Sequence, residues 1–302
     1  MPTPTVERAE VGLTAARAGV ERALGALCDR YLGVLPRQVA EAVRYSIMGE
    51  GKRLRPLLVL AAYHACGGEG DAYALAASIE IVHAYSLVHD DLPCMDNDIV
   101  RRGRPTTHRI FGPRVATVAG VAMVPLAARA AADAARSLGL PLASRKAIVL
   151  ELMRASGGGG MVGGQLLDLE GEGRSLSLAE LERIHTAKTG ALISASVRIG
   201  GIAAGADSRQ SRALERYGET VGLAFQIADD VLDATSTTAA LGKTAGRDAA
   251  LGKSTYPALL GVEGAVTRAA RLAEEGRSAL EEAELLTPEL ARLASFAVDR
   301  KS

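Results

Sequence analysis

At 302 residues, with 35 basic and 35 acidic side chains, the chain has no net charge with which to gather nucleic acid or an anionic membrane surface, so any anion it binds must be held locally. Its three cysteines, Cys28, Cys66 and Cys94, are odd in number and form no CxxC pair, which argues against a disulfide framework or a zinc site and for a reducing, cytoplasmic setting. The start, MPTPTVERAEVGLT, lacks the basic-then-apolar pattern of a secretory signal, and the length suits one large hydrophobic core, so a single domain over 1–302 is expected.

The first predicted element is a helix in which Leu13, Ala16, Val20, Ala23, Leu24 and Leu27 recur at three- and four-residue spacing. Similar periodicity, carried by Ala, Leu, Arg and Glu, continues along the chain, and alternating β-branched segments with hairpin turns are missing. Breaks fall at CGGEGD (66–71), RRGRPT (101–106), SLGLPLA (137–143), EGEGRS (170–175), GGIAAGADS (200–208) and the long STTAALGKTAGRDAALGKSTYP (236–257). An all-α single domain of ten or more helices follows.

Ahead of the first break, GEGKRLRP (49–56) sets Lys52, Arg53 and Arg55 beside glycines that let backbone approach an anion closely. The next helix, expected to start near Ala74, runs into LVHDDLPCMDNDIVRRG (87–103), where four aspartates fall within nine residues. Carboxylates this close raise one another's pKa and repel, which a shared cation relieves. On ideal geometry His83 and Asp90 return to one face within about 20°, with Ser86 one turn before Asp90, so the three share a wall. Pro93 cannot donate to the carbonyl of His89, and a break there swings Asp96 back beside Asp90. Further on, the longest uncharged run, Val115 to Ala128, has 14 residues, too few to span a bilayer.

In HTAKTG (185–190) Lys188 and Thr189 are adjacent, and Lys188 is one of only six lysines against 29 arginines. Lys52, Lys188, Lys243 and Lys253 all lie beside Gly, Ser or Thr, a setting that suits a compact ammonium on phosphate. The last predicted feature is FQIADDVLDATS, where Gln226, Asp229, Asp230 and Asp233 follow i, i+3, i+4, i+7 and project from one stripe of one helix. Its flanks, Val221, Leu223, Ala224, Phe225, Ile227, Val231 and Leu232, describe a buried helix, and carboxylates on a buried helix need cations. Two such clusters suggest two helices facing each other across several hard metal ions. Oxygen ligands without His or Cys at ligand spacing favour Mg²⁺, which takes a few carboxylates and completes its shell with water and substrate phosphates.

The motifs GKRLRP, HAYSLVHDDLPCMD, RRGRPT, GGMVGGQLLDL, AKTG, FQIADDVLD, GKTAGRD and KSTYP, in this order over residues 49–257, resemble those of the trans-prenyltransferases, the head-to-tail isoprenyl diphosphate synthases, and within them the bacterial-type farnesyl diphosphate synthases. The resemblance implies a helical bundle around a central cavity, a homodimer without membrane span or nucleic-acid partner, and isopentenyl diphosphate and an allylic diphosphate as substrates. It implies that Asp90, Asp91, Asp96, Asp229, Asp230 and Asp233 hold three Mg²⁺ on the allylic diphosphate, which Arg101, Lys188, Thr189, Gln226 and Lys243 also contact. Lys52, Arg55, His83 and Arg102 match the positions that bind isopentenyl diphosphate. Lys188, Thr189 and Gln226 match positions that lend dipoles to the allylic cation. Ile99 and Arg247 depart from the commoner Asp and Lys, and Val121 stands in AGVAMVP where relatives usually carry Asp, on a helix that lies at the family's dimer interface.

Product length is expected to be set one turn before Asp90. There Ser86 is small and Tyr85, about 100° round the helix, is bulky. A helical turn of about 5.4 Å is comparable to one isoprene unit, so these two form the floor, and an aromatic at Tyr85 resembles the farnesyl setting, with geranyl and geranylgeranyl products as alternatives. A terpene cyclase would also use an Asp-rich helix but leans on aromatic faces, and this chain has no Trp, three Phe and seven Tyr. A metal phosphohydrolase built on His64 and the His89-Asp90 pair leaves the second stripe and the lysines unexplained. A non-catalytic partner subunit need not keep all six aspartates.

Overall fold

The computed structural model describes residues 4–235 and 252–299. Its helices are α1 (Pro4–Tyr31), α2 (Arg37–Ile47), α3 (Leu54–Ala65), α4 (Tyr73–Asp90), α5 (Thr107–Phe111), α6 (Pro113–Ser137), α7 (Leu142–Ser156), α8 (Met161–Gly171), α9 (Leu178–His185), α10 (Ala191–Ala204), α11 (Ser208–Thr235), α12 (Tyr256–Glu282) and α13 (Pro288–Val298). The all-α expectation holds. Among the described residues, extended structure is confined to a hairpin of β1 (Val100–Arg101) and β2 (Arg104–Pro105) within the RRGRPT break.

Three helices form the inside of the bundle because their sequences are apolar all round. In α3 the ten residues Leu54 to Tyr63 are all buried, and in α4 the eight residues Leu75 to Val82 are. Helix α10 packs on α3, α7 and α11 and buries most of its length. The outer helices are amphipathic. The inner stripe of α6, Ala116, Ala119, Gly120, Met123, Ala127, Ala130 and Ala131, is small apart from Met123, so α6 lies close along α4. That helix runs through Pro125 and past Arg129 to Ser137, so by length and composition it is long and apolar enough to cross a membrane, although the 14-residue uncharged run within it is not.

Local chemistry fixes several boundaries. The Asp71 carboxylate accepts from the backbone N–H of Tyr73 at 2.9 Å and starts α4 one residue before the expected Ala74. Ser177 and Glu180 form a reciprocal capping box at the start of α9. Between α9 and α10 the chain does not break. The five residues Thr186–Gly190 form a π-helical turn, a wide turn that often marks functional sites.

One buried ion pair joins the entry of α3 to the centre of α4. Arg53 adopts φ of 54° and turns inward, where it is 4% exposed. Its Nε donates to Glu21 on α1 at 2.7 Å, its Nη1 to Glu80 on α4 at 2.9 Å, and its Nη2 to the carbonyls of Gly49 and Ile47 at 2.6 and 3.2 Å. Removing one member of a buried pair strands the other charge. Arg53→Met is therefore expected to lower unfolding free energy by about 3–5 kcal/mol in equilibrium urea denaturation, and adding Glu80→Leu to recover much of it. A single variant within about 1 kcal/mol of the parent contradicts this account.

Candidate active site

The helices enclose a cavity of about 780 Å³. From α4 it is lined by His83, Tyr85, Ser86, His89 and Asp90, so the wall read from helical spacing exists. Helix α4 ends at Asp90, and the turn through Pro93 brings the chain back so that the backbone N–H of Asp96 donates to the Asp90 carbonyl at 2.9 Å. The return expected from Pro93 is observed. The side chains of this segment divide. Asp90 faces the cavity, whereas buried Asp91 accepts from Nε of Arg101 at 2.7 Å, and Asp96 lies 3.7 Å from Nζ of Lys253.

The second stripe divides in the same way. Gln226 and Asp229 on α11 line the cavity, while Asp230 and Asp233 are buried and do not line it. Asp230 accepts from Gln226 Nε2 and from the backbone N–H of Tyr256, both at 3.1 Å, and so ties α11 to the first turn of α12. Asp233 lies two helical turns, about 10.5 Å, along the axis from Gln226, so the stripe is too long for all its members to meet one point. Among the described residues no three His, Cys, Asp or Glu side chains converge as a ready metal site. The donors that face the cavity are nevertheless oxygen carboxylates from two helices, the set that suits a hard cation sharing its shell with phosphate.

Cations gather at one end. Lys52, Arg55, His83, Arg101 and Arg102 line the cavity beside Gly51. The inward turn of Arg53 sends its neighbours Lys52 and Arg55 to this wall; Lys52 packs its ammonium 5.5 Å from the Phe296 ring on α13, and Arg102 donates to the Glu50 carbonyl at 2.6 Å. Burial, then the charges of Arg55, Arg102, Arg101 and Arg53, holds the His83 imidazole well below its ordinary range, so it is neutral. At the acid end burial raises the Asp90 carboxyl, with Lys188 and Arg101 pulling it down and Asp96 and Asp168 pushing it up.

Lys188 and Thr189 reach the cavity from the π-turn. That turn packs directly on α8, because a Cβ at Gly164 would lie 2.2 Å from the Lys188 backbone nitrogen. Thr189 donates to Gln226 Oε1 at 2.8 Å, which fixes the amide with its N–H₂ toward Asp230. Sequence reasoning missed the partner of Lys188. Asp168 on α8 accepts from Lys188 Nζ at 2.7 Å and from Lys253 Nζ at 2.9 Å. Burial opposes its ionisation, but the two ammonium groups outweigh it and hold the carboxyl at about 2. The available signal was its position as the lone acid ending the uncharged run ASGGGGMVGGQLL. Lys243 lies outside the described residues.

His185 is 7% exposed behind this network, its ring 5.5 Å from that of Tyr256. Burial holds it down at about 4, with Asp168 raising and Lys188 and Lys253 lowering it. An unfolded histidine takes its proton near 6.5, so this group's stability is complete above that pH and falls as pH drops through 6.5 toward 4. About 2 kcal/mol is expected to be lost by pH 5, and His185→Gln to lack that increment in urea denaturation. Parallel acid losses in both proteins contradict the assignment.

The family model for polyprenyl synthetase matches residues 36–286. The farnesyl diphosphate synthase of Escherichia coli (strain K12) is 46% identical over 283 residues, covering 90% of this chain and 93% of its own. Among solved structures, an FPP/GFPP synthase from Zymomonas mobilis superposes with a TM-score of 0.83 at 34% identity, covering 96% of this chain and 100% of that one. A geranyltransferase from Helicobacter pylori, complexed with magnesium and isoprenyl diphosphate, gives 0.81 at 30% identity over 99% of this chain and 98% of that one.

Proposed function

The chain belongs to the polyprenyl synthetase family, and we propose that it is a prenyltransferase that joins isopentenyl diphosphate head to tail to dimethylallyl and geranyl diphosphate, with farnesyl diphosphate as the main product. The observation that carries this reading is one cavity lined by Asp90 from α4 and Asp229 from α11 together with Lys52, Arg55, Arg101, Arg102 and Lys188. Two diphosphates can be held there in different ways, one by basic side chains alone and one by lysine together with cations that the carboxylates would hold. The cavity's aromatic lining among the described residues is Tyr85 and Phe225, which suits a linear product better than a cyclised one. One domain is enough for this chemistry, since α1, α3, α4, α8 and α11 all contribute to the one cavity.

Lys52, Arg55 and Arg102, beside neutral His83, bind the isopentenyl diphosphate; a neutral imidazole can donate one hydrogen bond without adding charge. Arg101, Lys188, Thr189, Gln226 and Lys243 bind the allylic diphosphate. Asp90 and Asp229, with Asp91, Asp96, Asp230 and Asp233 alongside, are the groups that would hold Mg²⁺, three ions by the family's pattern. Bound Mg²⁺ supplies charge that stabilises the departing diphosphate. Lys188 adds a hydrogen-bond donor at the leaving group, held in place by Asp168. The Lys188 carbonyl, Thr189 and Gln226 turn dipoles toward the allylic cation, and the isopentenyl double bond attacks it. The proton lost afterwards passes to the released diphosphate, so no protein base is needed.

The enzyme works in the cytoplasm, as its three free cysteines suggest, and pairs as a homodimer through α6, whose outer face carries Val118 and Val121, the latter 60% exposed. Chromatography of products from labelled isopentenyl diphosphate with dimethylallyl, geranyl and farnesyl partners tests reaction class and length together; absence of condensation by the purified chain sinks the proposal.

Chelator is expected to abolish turnover and millimolar-range Mg²⁺ to restore it. Asp90→Ala and Asp229→Ala should each lower kcat by at least about a hundredfold, measured at saturating substrates with Mg²⁺. Lys52→Ala and Arg55→Ala should raise KM for isopentenyl diphosphate by roughly ten- to a hundredfold, the effect of one charge-assisted contact, and leave KM for the allylic substrate nearly unchanged. Equal effects on both substrates would refute the division of the two sites.

A further inference from the structure

We propose that α6 sets the depth of the cavity floor through His89: Gly120 gives the imidazole a seat, and the seated imidazole holds the Tyr85 ring in the path of the growing chain. The inference rests on the reading of Tyr85 as the floor.

Tyr85 and His89 are four residues apart on α4, so they stack on one face, and both line the cavity. Their rings meet edge to face, centroids 4.8 Å apart at 70°. On its far side His89 Nε2 lies 3.1 Å from the Thr117 carbonyl of α6. A carbonyl only accepts, so Nε2 carries the proton and donates, which fixes the tautomer and the plane of the ring. Three residues along α6 from Thr117 is Gly120, which is buried. A Cβ there would sit 2.2 Å from His89 Nε2 and 2.3 Å from Cδ2, so the imidazole rests on bare backbone.

Glycine is a poor residue for a helix interior, and this contact accounts for its presence in α6. Tyr85 by itself has a rotatable ring on a single turn of helix. Backed by a histidine that is hydrogen-bonded to a second helix, its ring cannot swing back toward α6 without displacing that histidine and breaking the bond. His89 and Gly120 are therefore positioning residues for product length.

Opposite changes at the two positions should move the product in opposite directions. A methyl at 120 drives the imidazole off α6 toward Tyr85 and the cavity, which shortens the space. Loss of the imidazole frees Tyr85 to lie back against α6, which lengthens it. The test uses full-length enzyme with Mg²⁺, labelled isopentenyl diphosphate and dimethylallyl diphosphate, with products compared at matched conversion so that the ratio is read independently of rate.

His89→Ala is expected to raise the geranylgeranyl-to-farnesyl ratio by about tenfold, in the same direction as Tyr85→Ala. His89→Gln, whose amide N–H can still reach the Thr117 carbonyl, should keep the parental ratio. Gly120→Ala should shift product toward geranyl diphosphate; if it does not fold, the His89 pair decides. Parental ratios in both His89 variants, with Tyr85→Ala lengthening product, would overturn the brace and leave the floor standing. An active Tyr85→Ala variant with unchanged product overturns the floor and the brace together.

Discussion

Glu80 lies in the middle of a helix whose neighbours on every side are apolar, and a carboxylate there needs a cation brought to it. Arg53 answers from the entry of α3 by adopting a left-handed backbone conformation that few residues tolerate. The consequence is architectural. With Arg53 drawn inward and also bound to Glu21, the Gly49–Gly51 segment is pinned between α1 and α4. Its neighbours Lys52 and Arg55 then line the cavity, where Arg101 and Arg102 meet them from the hairpin after α4. Burial, joined by the charges of the same four arginines, keeps His83 neutral. A binding wall for an anion is thus built around an ion pair whose two charges are matched to each other.

At the opposite end the problem is reversed, because like charges must be kept from neutralising their future ligands or collapsing onto the cations. Asp168 takes up Lys188 and Lys253 together. Burial raises the Asp90 carboxyl, and Lys188 and Arg101 pull it back down, so it stands among cations where a counter-ion can join them. Asp91 and Asp230 are occupied by Arg101 and by the backbone of Tyr256, so each links the cavity wall to the next element. The π-turn adds the remaining geometry. It presents Lys188 and Thr189 together, and Thr189 orients Gln226 across to α11.

Helix α4 therefore carries three functions that all reach the cavity: the neutral histidine near the basic end, the aromatic floor, and the carboxylate at its C-terminus. The spacing among them is that of the helix itself, and the parts that could drift are fixed from outside by Arg53, by Arg101 and by the α6 backbone.

Much of this was legible in the sequence. Periodicity without alternation specified helices, the shared wall of His83, Ser86 and Asp90 followed from 3.6 residues per turn, and the return of Asp96 followed from what Pro93 cannot donate. Those features depend on near neighbours in the chain. The unforeseen ones depend on distant pairs. Whether Arg53 faced substrate or core hinged on Glu80, and which members of the aspartate stripes reached the cavity hinged on Arg101 and Tyr256. The partner of Lys188 came from α8, and the seat of His89 from α6. Sequence by itself determined which charges this protein carries and on which helical face each begins; tertiary structure decided which of them were satisfied by one another and which were left facing the cavity, because a buried charge takes its nearest partner in space, whatever the separation along the chain.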